Sequence, residues 1–258
     1  MYIAIDLGGT NTRIASSKDL ENIFKEDKFN TSSDVNKQKA LISKSVEKVS
    51  EGEIPEKICF GVPGLIDKDK FLKVPSISDY NGVAFSDFFE GNYELVVQND
   101  AALAGLAEAT RGAGKEYDTV AYLTLSTGIG GSLVQKGTVR HLEPGHMIID
   151  KDKSLEDLIS GGNFEKNYGK LPQDCVDEKI WMDYTGRLSI GIVNIVAMWS
   201  PEIIVLGGGM VNKFHDFIYP LLMKSLENQV FFEIPLVKKA HFMDEAGLIG
   251  GFIYLSQK

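Results

Sequence analysis

Tyr2-Ile3-Ala4-Ile5-Asp6-Leu7-Gly8-Gly9-Thr10-Asn11-Thr12-Arg13-Ile14-Ala15 decides the fold class. Tyr2 to Ile5 reads as a short buried strand, Asp6 to Asn11 as a Gly-rich turn, and Thr12 to Ala15 as a returning strand. The pattern recurs farther along. Thr119 to Leu125 reads as a strand, Ser126-Thr127-Gly128-Ile129-Gly130-Gly131 turns it, and Ser132-Leu133-Val134 goes back. Two such hairpins imply two similar lobes, with the boundary after a helix-forming stretch, Ala101 to Thr110.

The remaining elements alternate between the two periods. Helices are expected over Ala40–Val49, Leu188–Trp199, His215–Asn228 and Asp244–Leu255. Strands are expected over Ile58–Val62, Tyr93–Val97, Glu202–Leu206 and Leu236–Ala240. Alternating strands and helices make the class α/β.

The chain has 258 residues, 43% hydrophobic and 24% charged, with a formal net charge of -9, so global disorder is excluded. A nucleic-acid coat would carry a basic surplus, and this chain has the reverse, so no nucleic-acid partner is expected. Cys59 and Cys175 are too few and too far apart to suggest a disulfide framework or a Cys-based zinc site. No apolar run approaches the roughly 20 residues of a membrane span, and the N-terminus lacks a signal-peptide pattern. The expectation is a cytoplasmic protein with no membrane partner.

Adjacent glycines let a ligand approach the main chain, and successive N–H groups in such turns form an anion-binding concavity. In Asp6-Leu7-Gly8-Gly9-Thr10, Thr10 can donate to a phosphate oxygen and Asp6 can hold a hydrated Mg²⁺. An ordinary hairpin turn with an outward Asp is the alternative. Neither Gly turn is followed by the Gly-Lys-Ser/Thr of a Walker loop or carries a dinucleotide fingerprint. Gly207-Gly208-Gly209 is either a close-packed nucleotide platform or a flexible strand-to-helix turn.

Asn99-Asp100 lies between a strand and a helix N-terminus, where a carboxylate is stabilised by the helix dipole. Asp100 can accept a hydroxyl proton, or Asn99 or Asp100 can cap the helix, and both can hold. Pro144-Gly145 turns the chain between Glu143 and His146. That brings an acceptor and a two-nitrogen ring together on a loop, as sugar recognition requires. His146 read alone could instead be a metal ligand or a surface residue. Glu156 can simply favour a helix start, and His141, His215 and His241 read as structural.

Taken in order, five segments resemble the ROK (repressor, open reading frame, kinase) sugar kinases. They are Asp6–Thr10, Gly61-Val62-Pro63-Gly64, Asn99-Asp100-Ala101, Leu125–Gly131 and Glu143-Pro144-Gly145-His146. Val205-Leu206-Gly207-Gly208-Gly209 is similar to that family's adenosine motif. The resemblance implies an actin-like ATPase (ribonuclease H-like) fold with two similar lobes and an interlobe cleft. The lobes would be residues 1–110, rejoined by the C-terminal helix 244–258, and residues 111–243.

The resemblance further implies ATP and Mg²⁺. Asp6, Gly8, Gly9, Thr10 and Asn11, with Thr127, Gly128 and Gly130, would line the nucleotide, and Gly207, Gly208 and Gly209 the adenine. Asp6 would hold Mg²⁺ through water. Asp100 matches the catalytic base, and Gly64, Asn81, Asn99, Asp100, Glu143, His146 and Glu156 match sugar-contacting positions. The chain departs from the family where a Cys-rich zinc segment is usual. Met147 to Lys153 is short and Cys-free, and Ser154 stands where the last thiolate would be, so no zinc is expected. Asn11 also stands where the family often has Lys. The first strand starts at Tyr2, so no DNA-binding domain ahead of it and no repressor role are expected.

The expected reaction is transfer of the γ-phosphate of ATP to a hexose hydroxyl, the 6-hydroxyl and glucose first. N-acetylmannosamine, N-acetylglucosamine and fructose are the alternative sugars. A type III pantothenate kinase-like enzyme and a non-catalytic sugar-binding regulator are the rival readings. A homodimer is the family-based expectation.

Overall fold

The structure is a computed structural model that describes residues 1–89, 91, 93–227 and 233–258. The chain falls into two compact units, Met1–Ala107 with Glu245–Lys258, and Glu108–Asp244.

In the first unit the strands are β1 (Tyr2–Leu7), β2 (Asn11–Ser17), β3 (Lys25–Asn30), β4 (Lys57–Val62), a small hairpin of β5 (Leu65–Asp67) and β6 (Lys70–Lys73), and β7 (Glu94–Asn99). The helices are α1 (Val35–Ser50) and α2 (Asp100–Thr110). The main sheet has the order β3-β2-β1-β4-β7. β1 is antiparallel to β2 and parallel to β4, which is parallel to β7.

Side chains alternate along β1. Ile3, Ile5 and Leu7 join one core with Ile42 and Val49 of α1 and an aromatic cluster of Phe60, Phe71, Tyr80, Phe85 and Phe88. Ala4 faces the other way, with Ala15 and Cys59, into a core completed by Leu103, Leu248, Phe252 and Leu255. Small residues on that face let the helices lie close. A Cβ on Gly61 would stand 2.9 Å from Leu103, and one on Gly251 would stand 2.9 Å from Ala4.

The second unit contains β8 (Thr119–Leu125), β9 (Ile129–Gln135), β10 (Thr138–Leu142), a small hairpin of β11 (Ile148–Asp150) and β12 (Lys153–Ser154), β13 (Ile203–Gly207) and β14 (Leu236–Lys239). Its helices are α3 (Leu155–Ile159), α4 (Gly161–Tyr168), α5 (Glu178–Trp199) and α6 (Gly209–Glu227). The final helix of the first unit is α7 (Ala246–Ser256). The sheet order is β10-β9-β8-β13-β14, with antiparallel β8–β9–β10 and parallel β8–β13–β14. Both sheets therefore have one order and one set of strand directions. This is the ribonuclease H-like pattern used twice, the actin-like ATPase fold.

Several elements exceed their sequence signal. β3 is Lys25-Glu26-Asp27-Lys28-Phe29-Asn30, an edge strand whose charges hide its period while discouraging pairing with another chain. α1 starts at Val35, five residues before its apolar run, because the Asp34 side chain accepts from Lys37 N. α5 starts at Glu178, not near Leu188, capped by Asp177 and seated by Trp181, Tyr184 and Leu188. α6 begins at Gly209 and bends at Phe214, and its expected end at Asn228 lies outside the described residues. Among the described residues no helix is long and apolar enough to cross a membrane.

Candidate active site

In the first unit, the turn between β1 and β2 is closed by Gly8 N donating to Asn11 O at 3.0 Å. A polar chain behind it holds the backbone. Thr31 donates its hydroxyl to Gly8 O at 2.7 Å and its amide to Thr10 O at 2.9 Å. The Thr31 and Thr12 hydroxyls are 2.9 Å apart, and the buried Gln38 donates to Thr12 Oγ1 at 2.8 Å. Gly9 and Thr10 are exposed, and among the described residues no acceptor takes their amides. The turn is thus fixed from behind and open in front, as an anion concavity needs.

Asp6 lies on the Ala4 side of β1. Gly251 of α7 meets Ala4, and Gly247, one turn earlier, meets Asp6, where a Cβ would stand 2.7 Å from the carboxylate carbon. Arg13 is 3.9 Å from Asp6 Oδ2. The carboxylate therefore rests on the first turn of α7, where the helix dipole favours negative charge. Gly247 was not read as a site residue; its signal was the small-residue spacing Gly247–Gly250–Gly251 in an otherwise apolar helix.

Asn99 is the cap of α2. Its Oδ1 accepts from Ala102 N at 3.0 Å and its Nδ2 donates to Gly64 O at 3.2 Å. Gly64 has φ +76° and a Cβ there would stand 2.3 Å from Lys73 O, so only glycine fits. With the cap made by Asn99, Asp100 is the first residue of α2, and its Oδ1 accepts from Ala101 N at 2.8 Å. Asn81 is exposed, and its Oδ1 accepts from Val74 N at 2.8 Å, which closes the loop over Ser76. Ser76 is the side chain that stands against Gly9.

In the second unit the turn Ser126–Gly131 is surrounded by motifs that were read separately. Ser126 N donates to Gly128 O at 2.9 Å. A Cβ on Gly145 would stand 2.2 Å from Ile129 O, and one on Gly131 would stand 2.6 Å from Pro144. The Glu143–His146 turn and the Gly turn are two sides of one contact. Gly161 N and Gly162 N, at the start of α4, donate to Ser126 O and Thr127 O at 2.7 and 3.0 Å. Gly208 has φ +88°, and a Cβ there would stand 2.4 Å from Leu125 O. The Gly207–Gly209 turn is therefore close-packed on the end of β8. Gly161 and Gly162 were also missed; the Ser160-Gly161-Gly162 triplet was their only signal.

Glu156 is the second residue of α3. Ser154 caps that helix reciprocally with Asp157, and these hydrogen bonds hold the Asp157 carboxyl below its ordinary range. The Glu156 side chain reaches back, and its Oε2 accepts from Ile129 N at 2.7 Å. His141, read as structural, has its Nε2 2.8 Å from Glu143 Oε1. β10 is antiparallel to β9, and its end delivers His141 beside the turn that carries Glu143. His146 is exposed, and among the described residues no partner holds its ring. Where the family's zinc segment would be, β11 and β12 pair directly, and Leu155 N donates to Met147 O at 2.8 Å. Among the described residues no group of three or more His, Cys, Asp or Glu side chains is placed to hold a metal ion.

A sequence model of the ROK family matches residues 2–258. The chain is 26% identical to an N-acetyl-D-glucosamine kinase of Haemophilus influenzae, the match covering 97% of each chain. It is 24% identical to a glucokinase of Thermotoga maritima over 96% of each. Among solved structures, a ROK family glucokinase from Streptomyces griseus in complex with glucose and AMPPNP superimposes with a TM-score of 0.84. That likeness covers 100% of this chain and 99% of the other at 21% identity.

Proposed function

The chain belongs to the ROK family, and from that premise we propose that it is an ATP-dependent sugar kinase that phosphorylates a hexose, glucose first, at its 6-hydroxyl. One observation carries the reading. The Glu143-Pro144-Gly145-His146 turn, with its sugar-type polar groups, packs directly on the amide-bearing turn Ser126–Gly131. This packing supports the reading, in which the sugar side and the phosphate turn adjoin within one unit. The relatives named above act on glucose and N-acetylglucosamine, which makes N-acetylhexosamines the alternative substrates.

In this reading Asp100 is the general base. It accepts the proton of the sugar hydroxyl while that oxygen attacks the γ-phosphorus and ADP departs. Asn99 supports it from the cap position by fixing the start of α2 and the Gly64 loop. Gly64, Asn81, Glu143, His146 and Glu156 complete the sugar side. The exposed Gly9 and Thr10 amides and the Thr127–Gly130 turn suit the nucleotide's phosphates, with Asn11 beside them and Gly207–Gly209 beneath the adenine. A Mg²⁺ brought with the nucleotide would offset charge developing on its phosphates, and Asp6 is the carboxylate seated to hold it through water.

The test is ADP release with Mg-ATP against hexoses, N-acetylhexosamines and pantothenate. One strongly preferred sugar is the expected result. Activity on pantothenate alone would overturn the reading, and sugar binding without ADP release would favour a non-catalytic regulator.

A further inference from the structure

We propose that Glu156 couples the two binding events: its carboxylate holds the phosphate turn in a form that accepts nucleotide poorly until a sugar hydroxyl binds to it. The inference rests on the kinase reading and concerns the regulation of that same site.

The placement is specific. Gly128 is the residue on which a side chain would collide with Glu156, its Cβ meeting Oε2 at 2.7 Å. The carboxylate thus fills the flank of the turn, and the Ile129 amide is spent on it rather than left for a phosphate. The backbone that carries this carboxylate is firmly held. Ser154 and Asp157 lock the first turn of α3, and Ser160 N and Asn163 Nδ2 both donate to Glu156 O, at 3.1 and 3.2 Å.

Two consequences follow from elementary electrostatics. A carboxylate against an anion-binding turn opposes the approach of a polyphosphate. A hydroxyl that donates to the other oxygen, Oε1, disperses that charge and loosens its hold on Ile129. Sugar then raises nucleotide affinity, and nucleotide raises sugar affinity by the same factor, because binding linkage is reciprocal. Without sugar, nucleotide is held weakly and ATP is spared from hydrolysis.

Glu156→Gln tests this, since the amide oxygen can still accept from Ile129 while the charge is gone. Calorimetric titration with Mg-AMPPNP, with and without the best sugar of the panel, gives the coupling factor. In the wild type, sugar is expected to tighten nucleotide binding on the order of tenfold. In Glu156→Gln the sugar-free affinity should rise toward the wild-type sugar-bound value, and the coupling should fall below about twofold. Sugar-free ATP hydrolysis should rise as well. An unchanged or weaker sugar-free affinity in the variant, with coupling intact, would overturn the inference alone. Failure of the wild type to bind any sugar would overturn the kinase reading together with it. A second measurement needs no variant: saturating sugar, without nucleotide, should move the Ile129 amide resonance, and an unmoved resonance would also overturn the inference.

Discussion

Gly247 sits so close under Asp6 that the two occupy one space: a Cβ on the glycine would lie 2.7 Å from the carboxylate carbon. Real Cβ contacts do not come that near, so any larger residue must push Asp6 off its seat. Gly247→Ala should therefore reduce kcat/KM by at least tenfold, and overpacking should cost about 1–3 kcal/mol of stability. Steady-state kinetics and urea unfolding would measure both. A variant with normal kinetics would mean that the position of Asp6 does not matter to turnover.

Asp100→Asn should lower kcat by roughly 10²–10⁴-fold, the usual contribution of a general base. Sugar affinity should change little, because the amide keeps an acceptor oxygen. Calorimetry on the variant separates the two effects. Retained turnover would remove Asp100 from the role.

Beyond its own Gly8–Asn11 hydrogen bond, the turn of the first unit is held by a chain of hydroxyls that ends on Gln38. Gln38→Leu should leave Thr12 and the Ser32 amide without the partners they have in Gln38. Thr12 keeps its contact with Thr31, so the cost is that of two lost hydrogen bonds, about 0.5–1.5 kcal/mol each, and nucleotide affinity should weaken as the turn loosens. Unfolding curves and nucleotide titration should report the two losses together.

Ser154→Ala removes the α3 cap and should cost about 0.5–2 kcal/mol, with Ser154→Thr restoring most of it. The pH dependence follows from Asp157, whose carboxyl is held below its ordinary value of 3.8 by bonds from Ser154. Its folded pKa is depressed, so its contribution is present above the unfolded value and is lost as pH falls through the folded one. Asp157→Asn should therefore flatten the stability profile below about pH 4 and not near neutrality. Melting temperatures at pH 3 and pH 7 would show it.

Burial pushes the Cys59 thiol up to about 12. It should resist thiol reagents at pH 8 in the native state and react only in denaturant, as a timed labelling experiment can follow.

Much of the architecture was legible because its signals are local. Two Gly turns between strands announced the duplicated hairpins, and β8, β13 and α2 followed from period and propensity. The edge strand Lys25–Asn30 was not legible, because its charges serve the edge and not a core. The start of α5 was hidden for a related reason: Trp181 and Tyr184 anchor it at helical spacing within a polar stretch. The candidate site divides along the same line. Motif residues such as Asp6, Asn99 and Glu143 could be named from sequence. The groups that hold them could not, since Gly247, Thr31, Gln38 and His141 are tied to the motifs only through space.

The seat of Asp6 has a consequence during synthesis. β1 precedes the second unit in the chain, and α7, which carries Gly247, is made only after that entire unit. Domains otherwise tend to fold in order of emergence. Here the face of the sheet bearing Ala4, Cys59 and Asp6 must wait uncovered until Ala246–Ser256 has been translated. A chain stopped before Ala246 thus lacks the helix on which the Asp6 carboxylate rests, and this face of the sheet is finished last.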